Sequence, residues 1–323
     1  MPHHGGRELA VVEPASFGLV GTGTWAAQVH APALADCPNV RLVGVYGRDP
    51  GRTAAVAEPH GAQAFDDFDR FLDGVDAVAF AVAPQVQSAL ARRAAEAGKM
   101  LLLEKPLATS LAEGCELVAT IDRADVAARV FLPGLHSAEV RQLIASARAL
   151  QPQTATASFN SRALVPGGRF ADSPWRSEPF GPLLDVAPHM LAVLVSVLGP
   201  VVCAAATRTG KAAFQCSLDH AGGGRSSFSL DLLDETRTGP CELYSFGAAD
   251  HVLEGGPFQH DWLACYREAV RSLTGGDASA YGQVADVRFG QELVAIVDAA
   301  CASIATGGSV KRTAPAGKVR RLG

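Results

Sequence analysis

The chain has 323 residues, enough at roughly 150 residues per domain for two domains, each with its own core. Apolar residues make up 48% and charged residues 19%, a globular rather than a disordered composition. With 28 Lys plus Arg against 33 Asp plus Glu, the net charge is -5; a nucleic-acid partner is therefore not expected.

Seven cysteines, Cys37, Cys115, Cys203, Cys216, Cys241, Cys265 and Cys301, include no C-x-x-C pair. Neither a zinc site nor a disulfide framework is expected, and a reducing, cytoplasmic setting is. The first residues, MPHHGGRELAVVEPAS, lack the basic start and uninterrupted apolar stretch of a signal peptide. The longest apolar run, 191–206, is broken by Gly199-Pro200 and falls short of about 18 residues, so no membrane span is expected.

From 16 to 132, short apolar runs alternate with Ala-rich helical stretches, the pattern of βαβ units and a parallel sheet. Six strands are predicted, at 17–20, 41–46, 62–65, 77–82, 100–103 and 127–132, with a helix over 86–96. Gly98 stands where a helix C-terminal glycine belongs. The first strand runs into Gly21-Thr22-Gly23-Thr24-Trp25-Ala26 and a helix, matching G-x-G-x-x-(G/A). Gly21 permits the tight turn, Gly23 lets a pyrophosphate approach the backbone, Ala26 allows close helix packing, and the helix N-terminus faces the phosphates.

The second strand ends Tyr46-Gly47-Arg48-Asp49-Pro50. Gly47-Arg48 falls where the adenosine ribose would lie, with Asp49 as a helix cap, and this predicts NADP(H) preference. The alternative has Asp49 on the ribose and Arg48 solvated, so NAD(H) remains open. After the fifth strand comes Glu104-Lys105-Pro106, at the carboxyl edge where open α/β sheets bind ligands. Lys105 there suits a proton donor or a polariser of a substrate oxygen; taken alone, it also reads as an exposed loop lysine.

After a helix over 137–150, strand-like segments TATASFNS, VVCAAATRT, RSSFSLDLL and CELYSFGA follow closely, predicting a largely antiparallel sheet. Helices over 261–273 and 286–304 close the chain. The expected fold is α/β: a Rossmann doubly wound parallel sheet over 1–135, then an α/β domain with an open sheet over 136–323. Within the second part, Gly181-Pro182-Leu183-Leu184-Asp185-Val186-Ala187-Pro188-His189 places Asp185 and His189 four apart. If both are helical they share one face and could together move a hydroxyl proton. Pro188 makes that conditional, and His189 also reads as a packed or capping histidine.

The runs GLVGTGTWAAQVHAPAL, EAGKMLLLEKPLATS and GPLLDVAPH, in this order, and the closing helix, Gly-Gly turn and helix ending SIATGGSVK, resemble the Gfo/Idh/MocA family (glucose-fructose oxidoreductase, inositol dehydrogenase and rhizopine-catabolism proteins). The resemblance implies an NAD(P)-dependent oxidoreductase acting on CH-OH or C=O groups, with substrate between the domains and the open sheet often an oligomer interface. It gives Lys105 the reacting oxygen, His189 the acid/base role, and Asp185 the substrate or the lysine. Glu104 and Pro106 would shape the nicotinamide pocket, with the Lys-Pro peptide often cis. Ala83 and Pro84 fall at the cofactor edge, and Trp175-Arg176 resembles a pair beside the cofactor in some NADP-using members; both residues also read as packing and surface residues.

Three departures stand out. The family's usual Pro-Asn-x-x-His is Pro84-Gln85-Val86-Gln87-Ser88 here, the segment after the sixth strand is Leu132-Pro133-Gly134-Leu135-His136, and the aspartate that commonly follows the histidine by three is Ala192. His136 reads either as a polar contact or as a domain-junction residue. The expectation is hydride transfer between NADP(H) and a sugar, cyclitol or related polyol, in a homodimer or homotetramer. The alternatives are a glycosidase-type reaction with a retained, recycled NAD cofactor and a non-catalytic NADP(H) sensor.

Overall fold

Six parallel strands run in the order β3-β2-β1-β4-β5-β6: β1 (Ala15–Val20), β2 (Val40–Tyr46), β3 (Gln63–Phe65), β4 (Ala77–Phe80), β5 (Met100–Glu104) and β6 (Ala128–Phe131). The computed structural model describes residues 14–275 and 286–312; the N-terminal leader reading and Gly276 of the Gly-Gly turn lie outside them. Every residue of β4 is buried, because helices cover both faces of a parallel sheet and leave no polar side to alternate with. The strands lie within two residues of their expected limits.

The crossovers are α1 (Ala31–Ala35), entered through a π-turn over Ala26–His30, α2 (Pro50–Ala57), α3 (Phe68–Asp73), α4 (Pro84–Glu96) and α5 (Leu111–Ala124). Helix α4 starts two residues before the expected 86 because Pro84, whose fixed φ and missing N–H suit a first turn, opens it. Strand order reverses between β1 and β4, and the crevice at their carboxyl ends is where such sheets take ligands.

The chain leaves this sheet through α6 (Pro133–His136) and α7 (Ala138–Leu150) and builds a second sheet. Its strands are β7 (Thr154–Asn160), β8 (Val201–Arg208), β9 (Ala213–His220), β10 (Arg225–Asp231), β11 (Cys241–Ala248), β12 (His251–Gly255) and β13 (Val310–Lys311). Their order is β12-β11-β7-β10-β9-β8-β13, antiparallel except where β10 meets β7. The sequence reading missed β9, β12 and β13. In β9 the outward Gln215, Ser217 and Asp219 dilute the apolar signal although inward residues alternate strictly; in β12 an edge position leaves Val252 66% exposed.

Helices α8 (Gly181–Leu198) and α10 (Val287–Thr306) pack against this sheet. Both are long and apolar enough by length to cross a membrane, yet Leu191, Leu194, Leu293 and Ile296 from them lie in the core. Helix α9 (Trp262–Leu273) returns to the first sheet, where Tyr266, Ala269 and Val270 share a core with Phe17, Leu19 and Phe131. The two sheets are thus tied together by a late helix as well as by the crossing at α6.

Candidate active site

The Gly-rich turn is built for close approach. Gly21 holds φ at +129°, and a Cβ there would lie 2.3 Å from the Ala81 carbonyl oxygen, so a side chain is excluded both by conformation and by space. At Gly23 a Cβ would meet nothing within 4 Å: the backbone faces open space at the mouth of the β1–β4 crevice. This is the opening a pyrophosphate needs against a helix N-terminus, so these residues fit a dinucleotide. Thr24 is exposed and Ala26 buried, as their places in the motif require.

Gly47 presses this turn against the end of β2, since a Cβ there would lie 2.5 Å from both Thr22 and Thr53. Arg48 is exposed and has no hydrogen-bond or ion-pair partner among the described residues. Asp49 caps α2, accepting from the Arg52 backbone N–H at 3.0 Å. The Arg52 guanidinium, which sequence reasoning missed, donates to the Thr22 carbonyl at 3.1 Å and adds a second cation beside the turn. Ala83, the residue before α4, and Pro84, its first, stand at the carboxyl end of β4 across the switch point.

The end of β5 is held from two sides. The buried Gln87 side chain accepts from the Glu104 backbone N–H at 2.8 Å and donates to the carbonyls of Glu104 (2.8 Å), Pro106 (3.2 Å) and Leu107 (3.3 Å). It thereby holds the backbone on both sides of Lys105, whose peptide bond to Pro106 is cis. On the other side, Glu104 Oε1 accepts from Trp25 Nε1 and from His30 Nε2, each at 2.8 Å, and Oε2 accepts from the Lys105 N–H at 3.1 Å. Burial alone would raise the Glu104 carboxyl; the hydrogen bond and charge of His30, Lys105 and the Trp25 donor together hold it lower instead.

An ionised Glu104 only accepts, so His30 Nε2 carries the proton between them, and His30 Nδ1 lies 3.0 Å from the Tyr266 hydroxyl. The α9 helix is thereby connected to the base of the site. Trp25, expected beside the cofactor, thus spends its one donor on Glu104, while its ring meets Trp262 edge-on and carries Arg169 at 5.1 Å.

The second domain brings Asp185 to Lys105. Lys105 Nζ donates to Asp185 Oδ1 at 2.7 Å and to the Asp185 carbonyl at 2.9 Å. Two of its three N–H groups are engaged, and one is left for another oxygen. Arg176 donates to the same carboxylate, Nε to Oδ2 at 2.7 Å and a terminal nitrogen to Oδ1 at 3.2 Å. Its guanidinium is flanked by the rings of Phe170 (4.1 Å) and Trp175 (4.3 Å). Gly181 makes this geometry possible: a Cβ there would lie 2.2 Å from the Trp175 carbonyl, so only glycine lets α8 begin against the turn that carries Arg176. Although burial would raise the Asp185 carboxyl, Lys105 and Arg176 hold it well below the usual carboxylate range.

Pro188 lies inside α8 rather than in its first turn, and Asp185 and His189 are both helical. The condition for a shared face is met. His189 is partly accessible; burial and then the Lys105 charge push its pKa down to about 4, against the opposing pull of Glu242 and Asp185. Near neutral pH it is an uncharged imidazole ready to accept a proton. His136 is buried, stacks on Phe131 at 6.2 Å, and leaves Nε2 without a partner among the described residues. Its pKa is also pushed down to about 4, chiefly by burial.

Sequence reasoning missed Gln87, His30, Tyr266, Glu242 and His260 as members of this neighbourhood. A signal was present for some of them: Gln87 stands on the same buried stripe as Ala91, Ala94 and Ala95, and His30 on that of Ala26, Ala33 and Leu34. A polar residue on an apolar stripe must find a partner, and here each finds Glu104.

A dinucleotide turn at the switch point of a six-stranded parallel sheet, facing a lysine–aspartate pair completed by a second domain, defines a two-domain Rossmann protein. Residues 15–132 match the GFO_IDH_MocA family model, described as an oxidoreductase family with an NAD-binding Rossmann fold. The chain is 28% identical over 200 residues to a dTDP-3,4-didehydro-2,6-dideoxy-alpha-D-glucose 3-reductase of Saccharopolyspora spinosa, covering 58% of this chain and 59% of the reductase. It is 39% identical over 106 residues to inositol 2-dehydrogenase 1 of Saccharopolyspora erythraea, covering 32% of each. The chain thus spans little more than half the length of the first of these curated relatives and a third of the second. Its fold is that of GenD2 from gentamicin A biosynthesis, solved in complex with NAD, with a TM-score of 0.82, 18% identity and 94% and 97% of the two chains covered. Over residues 15–132, its Rossmann part, the chain thus matches the Gfo/Idh/MocA oxidoreductase family.

Proposed function

We propose that this protein is an NADP(H)-dependent oxidoreductase that moves a hydride between nicotinamide and a carbonyl or secondary-alcohol carbon of a sugar, cyclitol or related polyol. The observation that carries this reading is Lys105. Its ammonium sits at the carboxyl edge of β5, fixed by Asp185 and with one N–H unspent, beside a turn that fits a dinucleotide. The nicotinamide cofactor supplies the hydride chemistry. Lys105 binds the reacting oxygen and stabilises negative charge developing on it. His189, neutral near pH 7, takes the hydroxyl proton when an alcohol is oxidised and returns it when a carbonyl is reduced.

Asp185 acts by holding Lys105, and Arg176 by holding Asp185. The sugar and cyclitol class is supported by the relatives' names, a dTDP-sugar 3-reductase and an inositol 2-dehydrogenase. NADP(H) preference is supported by exposed, unpartnered Arg48 with Arg52 one helical turn on, and by the commitment of Asp49 to capping α2. NAD(H) use is the alternative. The same reading includes a cytoplasmic setting and a homodimer or homotetramer joined through the helix-free face of the second sheet, where Thr156, Ser158, Ser227 and Ser229 present hydroxyls. A monomeric mass by light scattering would withdraw the assembly.

The test is turnover with NADPH against a panel of carbonyl sugars and with NADP against sugars and cyclitols. Lys105→Ala and His189→Ala should each lower turnover by about 10²- to 10⁴-fold while NADPH binding changes only a few-fold. Wild-type turnover in both variants would overturn the assigned roles.

A further inference from the structure

Behind His189 lies a small cavity lined by His189, Glu242, His260, Ala192, Val193 and Leu135. Three of these residues are titratable, and two come from elements that carry no part of the chemistry above. Glu242 is on β11, where strand alternation puts it on the same inward side as buried Tyr244 and Phe246. A carboxylate at such a position is costly unless other groups hold it. Tyr244 donates its hydroxyl to Glu242 Oε1, and His260 Nε2 lies 3.8 Å from Oε2, with the two side chains only 12% and 10% exposed.

His260 is fixed by rings on both sides, Trp262 edge-on at 5.3 Å and Phe258 stacked at 6.4 Å. Its Nδ1 is buried without a partner among the described residues. Ala192, one turn along α8 from His189, brings no polar atom to the cavity wall. Among the described residues that line the cavity, the one carboxylate therefore comes from the second sheet.

We propose that Glu242 and His260 are positioning residues for His189: the carboxylate faces the imidazole across the cavity and favours its protonated form, and the His260 ring moderates that influence by competing for the same carboxylate. This rests on the acid/base role proposed for His189. The groups that act on His189 are Lys105 at the end of β5, Asp185 on its own helix, Glu242 on β11 and His260 ahead of α9; α6 lines the cavity with Gly134 and Leu135 and carries His136. Lys105 and His260 disfavour the imidazolium, Asp185 and Glu242 favour it, and Glu242 is in turn held ionised against burial chiefly by its contacts with His260 and Tyr244. The proton that His189 accepts is thus stabilised from two sides, by Asp185 toward the lysine and by Glu242 toward the cavity.

The test needs no substrate. Imidazole ¹⁵N shifts of the full-length protein, with the His189 signal assigned by its loss in His189→Gln, give its protonation against pH in wild type, Glu242→Gln and His260→Phe. His260→Phe keeps the ring contacts with Phe258 and Trp262. Wild-type His189 should titrate near pH 4. In Glu242→Gln it should stay neutral down to the acid limit of the fold, and in His260→Phe it should titrate higher, by about one unit. A role confined to packing would move both variants the same way or neither. That result overturns the proposal, and if only one variant folds, the direction of its shift decides. Because no turnover is read, failure here is separable from failure of the oxidoreductase reading, which shows as an absence of dinucleotide binding.

Discussion

Two carboxylates flank Lys105, and they are kept ionised by different balances of hydrogen bonding and charge. Glu104, from the first sheet, is surrounded mainly by hydrogen-bond donors, Trp25, His30 and the Lys105 backbone N–H, to which the charges of His30 and Lys105 add. Asp185, from the second domain, is surrounded by full charges, Lys105 and Arg176. The first arrangement fixes geometry at little electrostatic risk, because donors satisfy the lone pairs directly. The second concentrates charge around the Lys105 ammonium, and its stability depends on every partner remaining in place. The β5 side of the site is therefore held mainly by hydrogen bonds, and the side facing the second domain mainly by ion pairs.

The comparison can be broken by changing each carboxylate to its amide. Asp185→Asn leaves two cations facing a neutral group in a site where the aspartate is buried. It should lower unfolding free energy by about 3 to 5 kcal/mol, read from denaturant midpoints at unchanged slope. Glu104→Gln should cost much less, about 1 to 2 kcal/mol: the amide oxygen can still accept from Trp25 and His30, and only the contact with the Lys105 N–H is lost. Equal losses in the two variants would erase the distinction.

Acid sharpens it further. A carboxylate held below its ordinary range contributes stability that is present above its unfolded pKa and lost only as pH falls through the lower folded value, so Glu104 and Asp185 protect the fold well into acid. The histidines run the other way. His136 and His189 are pushed down to about 4, so between an unfolded value near 6.5 and pH 4 the unfolded chain binds the extra protons and stability falls as pH falls. Each contributes a slope of at most about 1.4 kcal/mol per pH unit. His136→Phe, which keeps the stack on Phe131, should remove one such slope from the stability profile between those limits. An unchanged profile would show that His136 is already charged in the folded protein.

Much of this was legible in the order of residues. The six parallel strands are short apolar runs at regular spacing, and the Gly21–Ala26 turn, Lys105, Asp185 and His189 stand in motifs whose meaning is set within a few residues. Pro188 left the Asp185–His189 geometry open, because a proline is compatible with either a first turn or an interior position, and only packing decides. Gln87, Glu242 and His260 were not legible as site residues. Each acts through partners far along the chain: Gln87 reaches 17 residues to Glu104, and Glu242 meets His189 only because β11 and α8 lie against the same cavity. The departure at Pro84–Ser88, which from sequence alone motivated a non-catalytic reading, contains the side chain that holds the Lys105 backbone in place.

The most direct test of the central claim is calorimetric titration of the cofactor-stripped protein with NADPH and, separately, with NADH. The expected result is micromolar NADPH binding, with NADH weaker by about tenfold or more, roughly 1.4 kcal/mol. NADH bound more tightly than NADPH would contradict the role given to Arg48. Binding of neither would contradict the dinucleotide site itself, and with it the oxidoreductase reading.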